Sequence, residues 1–328
     1  MLSFSTKRLN NLKKSSSSFL KFSSSIVVVF FDLPNKYCAK ENIFSERMRI
    51  YDKNSDFCDM DFKTIKIQLG ESMAWVNLDR PEVRNALNPE MIRELTEAVE
   101  WLDSRDDIRV IIMKGNGAAF CAGADLAYMK EMAGFSHAQN LADAERLSKL
   151  FRSIYYCNKA VIAVVHGACI GGANGIIAAS DVVIAEEKTR FAFSEVRLGI
   201  TPATISPFVV RRVGNAAAKE LMLTGRRFTA DEAKACQLVN AVVDESSLID
   251  AERQYIEHFM HASPDAVAEC KKLLRLVSGT DNPDDPVFRQ TAEAIANQRI
   301  SEAGQEGMAA FFEKRRPAWV LQEYRKQK

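Results

Sequence analysis

Hydrophobic and polar residues follow two regular spacings from about residue 61 onward. Apolar residues alternate with polar ones over 65–69, and a mostly apolar run covers 73–78 after a Gly-Glu-Ser turn, which predicts a β-hairpin. Asn88 and Pro89 then precede apolar residues that recur three and four positions apart, the spacing of an amphipathic helix. The first elements are therefore predicted to be two paired strands and a helix.

Three short apolar runs further along predict buried strands separated by helical stretches. The predicted strands are Val110–Met113, Ala160–Val165 and Val182–Ala185, and the intervening stretches include helices over 139–156 and 173–180. After residue 205 the pattern becomes mostly helical, with helices predicted over 214–223, 230–237, 245–261, 263–278, 285–300 and 305–315. Strand–helix alternation indicates an α/β protein built from βαβ units with right-handed crossovers.

The composition of the N-terminus differs from the rest. Residues 1–31 contain five basic residues, no acidic residue and a high share of serine, a composition typical of a transit peptide. An alternative is that Met48 or Met60 is the true first residue of the protein. We predict a disordered or transit-like extension over 1–59, a β/α core over 60–245 and a helical C-terminal region over 246–328.

The overall composition names no charged partner. Of the 328 residues, 47% are hydrophobic and 27% charged, and the formal net charge is +1, so bulk electrostatics does not favour nucleic acid. The apolar run over 26–31 is too short to span a membrane. Seven scattered cysteines lack metal-ligand spacing, and none of the four histidines pairs with a plausible nucleophile. We therefore expect a reducing compartment, no metal site and no catalytic triad.

Two glycine-containing segments follow predicted strands and lead into helices. They are Phe-Cys-Ala-Gly-Ala-Asp-Leu over 120–126 and His-Gly-Ala-Cys-Ile-Gly-Gly-Ala-Asn-Gly over 166–175. Small residues at a helix start leave backbone N–H groups unpaired at the positive end of the helix dipole, where an anion can bind. Neither segment matches a dinucleotide or nucleotide phosphate loop. Tight helix packing is the alternative explanation for either segment alone.

The order of five motifs resembles the enoyl-CoA hydratase/isomerase (crotonase) superfamily over about residues 61–320. The motifs are residues 77–88, 119–126, the Gly171-Gly172 segment, 193–200 and 306–315. The resemblance implies a crotonase-like β/α superhelix of ββα repeats with a helical C-terminal region. It also implies that the backbone N–H groups of Ala124 and Gly172 form an oxyanion hole for the carbonyl of a coenzyme A thioester.

Glu195 matches the family glutamate that exchanges a proton with the substrate carbon. Because apolar residues precede it, we expect its pKa to be raised, as acid–base catalysis near neutral pH requires. The alternative is a surface glutamate paired with Arg197. The resemblance further implies substrate-binding roles for Arg84, Ala86, Ala122, Gly123, Asp125, Leu126, Gly171, Asn174 and Pro202.

The sequence departs from the family at one catalytic position. Family hydratases carry a second glutamate that helps to hold the attacking water, and the matching residue here is Gly175. Glycine has no side chain to act as an acid or base, so the two-carboxylate mechanism lacks one of its two groups at this position. Asn174, Asp125 and Glu131 are nearby candidates for holding the water, although none matches the missing carboxylate.

Residues 194–210 resemble a bacterial subgroup assigned as methylglutaconyl-CoA hydratases of leucine breakdown. Ile205, Pro207 and Phe208 stand where relatives have a flexible glycine-rich loop, which predicts a narrow acyl pocket. We expect a lyase that hydrates a short, branched enoyl-CoA. The alternatives are an isomerase that moves the double bond with one glutamate, and a non-catalytic acyl-CoA or RNA-binding relative.

Expectations also follow for the oligomeric state, the cofactor, the partners and the location of the protein. The resemblance implies a homo-oligomer, a trimer or a dimer of trimers, and no cofactor beyond the coenzyme A of the substrate. Nucleic acid and membrane are not expected partners. The expected location is the cytoplasm, or the mitochondrial matrix if residues 1–47 are a transit peptide.

Overall fold

The computed structural model describes residues 62–132, 134–278 and 301–321. The predicted N-terminal extension over 1–59 and the predicted helix over 285–300 lie outside the described residues. The boundaries predicted for the core and the C-terminal region stay a prediction.

Strands and helices alternate through the first half of the described chain. The strands are β1 (Ile65–Leu69), β2 (Met73–Leu78), β3 (Val110–Gly115), β4 (Ala160–Val165), β5 (Ala168–Ile170), β6 (Val182–Glu186), β7 (Arg190–Ala192), β8 (Arg227–Thr229) and β9 (Ala241–Val243). The α-helices are α1 (Pro89–Asp103), α2 (Leu126–Met132), α3 (His137–Tyr156), α4 (Gly172–Ala179), α5 (Ser206–Thr224), α6 (Ala230–Ala235), α7 (Leu248–His261), α8 (Pro264–Val277) and α9 (Glu302–Phe312). Short 3-10 helices cover Pro81–Val83, Glu195–Leu198 and Glu245–Ser247.

The larger sheet has six strands in the order β1-β2-β3-β4-β6-β9. β1 and β2 form the predicted antiparallel hairpin, and the other neighbours run parallel. Helices cover both faces, as parallel sheets require, and alternate residues of β3 therefore enter two separate cores. Ile111 and Met113 pack in one core, and Val110 and Ile112 pack in the other.

The smaller sheet has three strands in the order β5-β7-β8 and carries much of the candidate site. β5 and β7 run parallel, while β7 and β8 run antiparallel. The Phe228 ring stacks on Phe191 and Phe193, with centroids 5.5 and 5.8 Å apart. This aromatic stack fixes the end of β7 from which the chain leads to Glu195.

The predicted α/β class and the main strands agree with the structure. α5 consists of two helical segments that meet at a kink at Gly214, where φ is 75°. The helix predicted from 214 agrees with the second segment, whereas the first segment, which begins at Ser206 with Pro207 in its first turn, was not predicted. None of the helices in the described ranges is long and apolar enough to cross a membrane.

Candidate active site

Three backbone segments lie side by side where the larger sheet gives way to the glycine-containing motifs. The middle segment is 121–125, and segment 84–88 lies on one side of it. Leu87 N–H donates to Gly123 O at 2.7 Å, and Asp125 N–H donates to Leu87 O at 2.9 Å. These bonds hold the first motif against the chain that precedes α1.

Segment 168–172 lies on the other side of the middle segment. Cys121 N–H donates to Ala168 O at 3.0 Å, and Ile170 N–H donates to Cys121 O at 3.1 Å. Cys121 and Cys169 are therefore parallel partners. Because both chains continue in the same direction, Ala124 and Gly172 follow this pair at the same offset of three residues.

The N–H of Ala124 points away from the segment that holds it. The carbonyl and the N–H of a trans peptide point to opposite sides. Since Gly123 O accepts from Leu87 N–H, the Ala124 N–H of the same peptide is directed away from Leu87. Within the described residues this N–H has no hydrogen-bond partner.

The same relation holds for Gly172, the first residue of α4. Gly171 O accepts from Asn174 N–H at 2.9 Å, which directs the Gly172 N–H to the opposite side of that peptide. This N–H also lacks a partner among the residues described here. One unpaired donor at a helix start and another on the neighbouring segment form an arrangement that can bind an oxyanion.

Glu195 lies next to the second motif. It begins the 3-10 helix Glu195–Leu198, and its Oε1 is 3.5 Å from the position that a Cβ on Gly171 would occupy. Its Oε2 is buried and, in the part of the chain that is described, has no hydrogen-bond partner. Burial raises the pKa of the Glu195 carboxyl. No ion pair joins Glu195 to the exposed Arg197 among the described residues, so the surface-pair alternative does not describe this site.

Gly171 has a backbone conformation that suits glycine. Its φ is 55° with ψ of −124°, a region that costs an L-residue strain. A side chain at this position would also point at the Glu195 carboxylate. The glycine therefore serves both the chain reversal before α4 and the approach of the carboxylate.

Gly175 packs against two large side chains. A Cβ at this position would lie 2.5 Å from Ile205 Cγ2 and 2.6 Å from Phe151 Cζ. Phe151 and Ile205 are both buried, with exposed fractions of 0% and 1%. The position that matches the second family glutamate thus has no space for a carboxylate, and Glu195 has no acidic partner there.

We expect Gly175→Ala to lower the free energy of unfolding by about 1–3 kcal/mol, because the added methyl group forces Phe151 or Ile205 out of place in a packed core. Urea unfolding of the variant measures this cost. Gly134→Ala is the control, since its Cβ would meet only Glu131 O at 3.6 Å, and it should change stability by no more than about 0.5–1 kcal/mol. Equal costs for the two variants would contradict the packing described for Gly175.

Arg80 belongs to the site region, although no pattern in the sequence singled it out within the motif 77–88. Its guanidinium donates to Ala86 O and to Asp125 Oδ2, both at 2.7 Å. The Asp125 Oδ1 accepts from Ala127 N–H at 2.8 Å and so caps α2. The Arg80 hydrogen bond holds the pKa of Asp125 below its ordinary value. Arg80 therefore ties the segment before α1 to the residue that follows Ala124.

The other predicted site residues fall into three environments. Arg84 and Leu126 are exposed, and Leu126 has an exposed fraction of 77%, so both can contact a ligand outside the protein surface. Pro202 is half-buried in the turn before α5. Asn174 is fully buried. Glu131 is exposed on α2.

The remaining predicted contact residues belong to the three segments. Ala122 N–H donates to Arg84 O at 3.0 Å, and Gly123 has φ of 99°. Ala86 is buried, and its carbonyl accepts from Arg80. These residues shape the backbone around the unpaired Ala124 N–H.

Cysteine and metal chemistry find no support at this site. Cys121 and Cys169 are fully buried, and burial raises the pKa of Cys121 to about 12, so its thiol stays protonated at neutral pH. Across the described ranges no cluster of three or more His, Cys, Asp or Glu side chains could hold a metal ion.

Comparison with known proteins gives one consistent family. A family model described as enoyl-CoA hydratase/isomerase matches residues 68–322. The chain is 35% identical over 255 residues to a candidate enoyl-CoA hydratase of Thermus thermophilus, with 77% of this chain and 99% of the relative covered. It is 33% identical over 254 residues to the mevalonyl-coenzyme A hydratase SIDH of Beauveria bassiana, with 74% and 90% covered.

A solved structure agrees with these sequence matches. The crystal structure of an enoyl-CoA hydratase from Shewanella pealeana is similar to this chain with a TM-score of 0.76 and 38% identity. The match covers 79% of this chain and 97% of that chain. The predicted fold class is thereby confirmed.

Proposed function

Because the chain belongs to the enoyl-CoA hydratase/isomerase family, we propose that it adds water to the α,β double bond of a short, branched enoyl-CoA. The observation that carries this proposal is the half-buried Glu195 carboxylate next to Gly171, together with the Ala124 and Gly172 N–H groups, which have no hydrogen-bond partner among the described residues. The family makes the chain an enzyme that acts on coenzyme A thioesters. The identity of the acyl group and the roles of individual residues are the proposed part.

The proposed reaction uses one carboxylate for both proton transfers. The ionised Glu195 takes a proton from water as the water oxygen bonds to the β-carbon, and the electrons of the double bond move onto the thioester to give an enolate. The Ala124 and Gly172 N–H groups hold the enolate oxygen. Glu195 then returns its proton to the α-carbon, so that enoyl-CoA and water give a 3-hydroxyacyl-CoA and the carboxylate is restored.

Burial of Glu195 supports its proposed role. A carboxylate whose pKa is raised is a stronger base when ionised and returns its proton at a pH closer to neutrality. Gly175 offers no second acid or base, so the reaction is written without one. Coenzyme A would lie along residues 79–88, where the exposed Arg84 can pair with phosphate.

The preference for a short, branched acyl group is supported by the packing beside Gly175. Phe151 and Phe208 meet edge to face with centroids 6.0 Å apart, and Ile205 closes the same region. Large rigid side chains limit the length of acyl chain that can enter. Methylglutaconyl-CoA is the substrate that the resemblance of residues 194–210 favours.

Isomerisation is the second candidate, and the packing of Gly175 favours it as well. One carboxylate suffices to remove a proton from one carbon and return it to another. Labelled water separates the two reactions. Hydration of an α,β-enoyl-CoA in H₂¹⁸O puts the heavy oxygen into the product, whereas conversion of a β,γ-enoyl-CoA with deuterium from D₂O but no heavy oxygen demands isomerisation. Mass spectrometry of the products measures both.

A reducing compartment and a homo-oligomer complete the proposal. Cys121, Cys157, Cys169, Cys236 and Cys270 are free thiols, which suits the cytoplasm or the mitochondrial matrix. The intact mass of the native protein tests whether residues 1–47 are retained. The trimeric assembly stays a prediction, as does the absence of a cofactor beyond coenzyme A.

A further inference from the structure

Asn174 lies in the first turn of α4 and faces inward. Its exposed fraction is 0%. Its Nδ2 donates to Ala192 O at 2.9 Å, to Cys169 O at 3.2 Å and to Gly171 O at 3.3 Å. Three carbonyls around one amide nitrogen leave it no N–H for a water or a substrate. The amide oxygen Oδ1 accepts from the Cys169 Sγ at 3.6 Å, so the described contacts of this side chain are all with the protein.

One of these three carbonyls belongs to the peptide that carries a proposed oxyanion donor. Gly171 O and the Gly172 N–H are the two ends of the same peptide group, and they point in opposite directions. Gly171 O also accepts from Asn174 N–H at 2.9 Å. A hydrogen bond to the carbonyl therefore fixes the direction of the N–H, and it polarises the peptide so that the N–H donates more strongly.

The other two carbonyls fix the Asn174 amide itself. Cys169 O is on β5 and Ala192 O is at the end of β7, so the side chain is held from two strands of the smaller sheet. Gly171 N–H donates to the same Ala192 O at 2.9 Å. The amide thus has one orientation, in which it reaches the Gly171 carbonyl from inside the protein.

We propose that Asn174 is a positioning residue that aims and polarises the Gly172 N–H toward the thioester oxygen. It touches no substrate, and it acts through the Gly171–Gly172 peptide. This inference rests on the proposed function, because it assigns the Gly172 N–H to the oxyanion. It predicts an effect on the transition state that exceeds the effect on substrate binding.

Asn174→Leu is the variant that tests the proposal. Leucine keeps the number and branching of the side-chain heavy atoms, and Gly171 O and Ala192 O retain their backbone donors, so the fold is expected to survive. We expect kcat for the preferred enoyl-CoA to fall about 10- to 100-fold, while KM changes less than about threefold. Asn174→Ala provides a second variant, which removes the amide without adding a large apolar side chain.

A double-mutant cycle distinguishes positioning from general damage to the protein. In Gly172→Pro the N–H is absent, so Asn174→Leu added to that variant should lower kcat less than about twofold further. Thr96→Val is the matched control, because it also removes a buried side-chain hydrogen bond to a backbone carbonyl. The Thr96 hydroxyl lies in α1, outside the three segments of the candidate site, and donates to Ile92 O at 2.7 Å. This control should leave kcat within about twofold of the starting protein. Equal losses from Asn174→Leu in both backgrounds would overturn the proposal.

A binding measurement separates failure of this inference from failure of the proposed function. Acetoacetyl-CoA carries an acidic β-keto thioester, and coenzyme A lacks the thioester carbonyl, so calorimetric titration with each isolates the oxyanion contact. Asn174→Leu should weaken acetoacetyl-CoA about 10-fold and leave coenzyme A unchanged. Equal binding of acetoacetyl-CoA by both proteins would refute the role of Asn174, whether or not the protein hydrates any enoyl-CoA.

Discussion

Turnover of an enoyl-CoA is expected to fall about 100- to 10,000-fold when Glu195 is replaced by glutamine, because the amide can neither accept the proton of water nor return one to the α-carbon. The change keeps the shape of the side chain, so KM should move far less than kcat. Steady-state kinetics on the preferred substrate measures both. Glu187→Gln is the matched control, as Glu187 is an exposed glutamate just before β7, and it should turn over like the starting protein.

The same substitution should change how stability depends on pH. Burial raises the pKa of Glu195 in the folded protein, so folding favours the protonated carboxyl. That contribution to stability is present below the ordinary pKa of about 4.3 and is lost as the pH rises through the raised value. Glutamine does not ionise, so the variant has no such pH-dependent contribution to lose. The stability of Glu195→Gln relative to the original protein should therefore increase between about pH 4 and pH 8 in urea unfolding.

A difference in stability that does not change over this range would contradict the burial assigned to Glu195. A turnover within about tenfold of the original would remove Glu195 from the chemistry, whatever the stability result.

Gly172→Pro is expected to lower kcat about 100- to 1,000-fold relative to Gly172→Ala, because proline has no N–H to offer the enolate oxygen. Gly172 is the first residue of α4, a position where proline is compatible with a helix. Both substitutions place a Cβ 3.2 Å from Leu87 Cδ1, so this contact is shared, and the two variants differ in the proline ring, whose Cδ replaces the amide hydrogen. Circular dichroism and urea unfolding check that the two variants keep equal structure.

Equal kcat values for the proline and alanine variants would show that the Gly172 N–H does not stabilise the transition state. The proposal would then have to rely on Ala124 alone, which supplies only one of the two donors. A loss shared equally by both variants would point to the Leu87 contact as its cause.

Much of the fold was predictable because its signals are local. The hairpin of β1 and β2 follows from alternating hydrophobicity, and the Asn88 side chain caps α1 by accepting from Met91 N–H at 2.8 Å, as its place before Pro89 indicated. By contrast, β5, β8 and β9 are three residues each, too short for a periodic pattern to separate them from loops. Their pairing depends on partners that are far away along the chain.

The site was predictable to the extent that its chemistry resides in the backbone. Small residues before two helices predicted unpaired N–H groups in both motifs, and the family resemblance implied that these belong to Ala124 and Gly172. The inward orientation of Asn174 depends on Ala192 O, which is 18 residues further along the chain. The contact between Phe151 and Gly175 depends on how two helices pack across 24 residues of sequence. The contacts of Arg80 likewise join residues 45 apart. Such contacts leave no periodic signal in a single sequence.

The packing at Gly175 also constrains how this active site could change over generations. Glycine and glutamate codons are neighbours, yet a glutamate here would collide with Phe151 and Ile205. Trimming those side chains first leaves cavities, and a Phe→Ala change in a core costs about 3–5 kcal/mol. A glutamate at position 175 therefore requires smaller side chains at positions 151 and 205, and either change made alone is expected to leave a less stable protein. A designer who wants a second carboxylate here would change the three positions together.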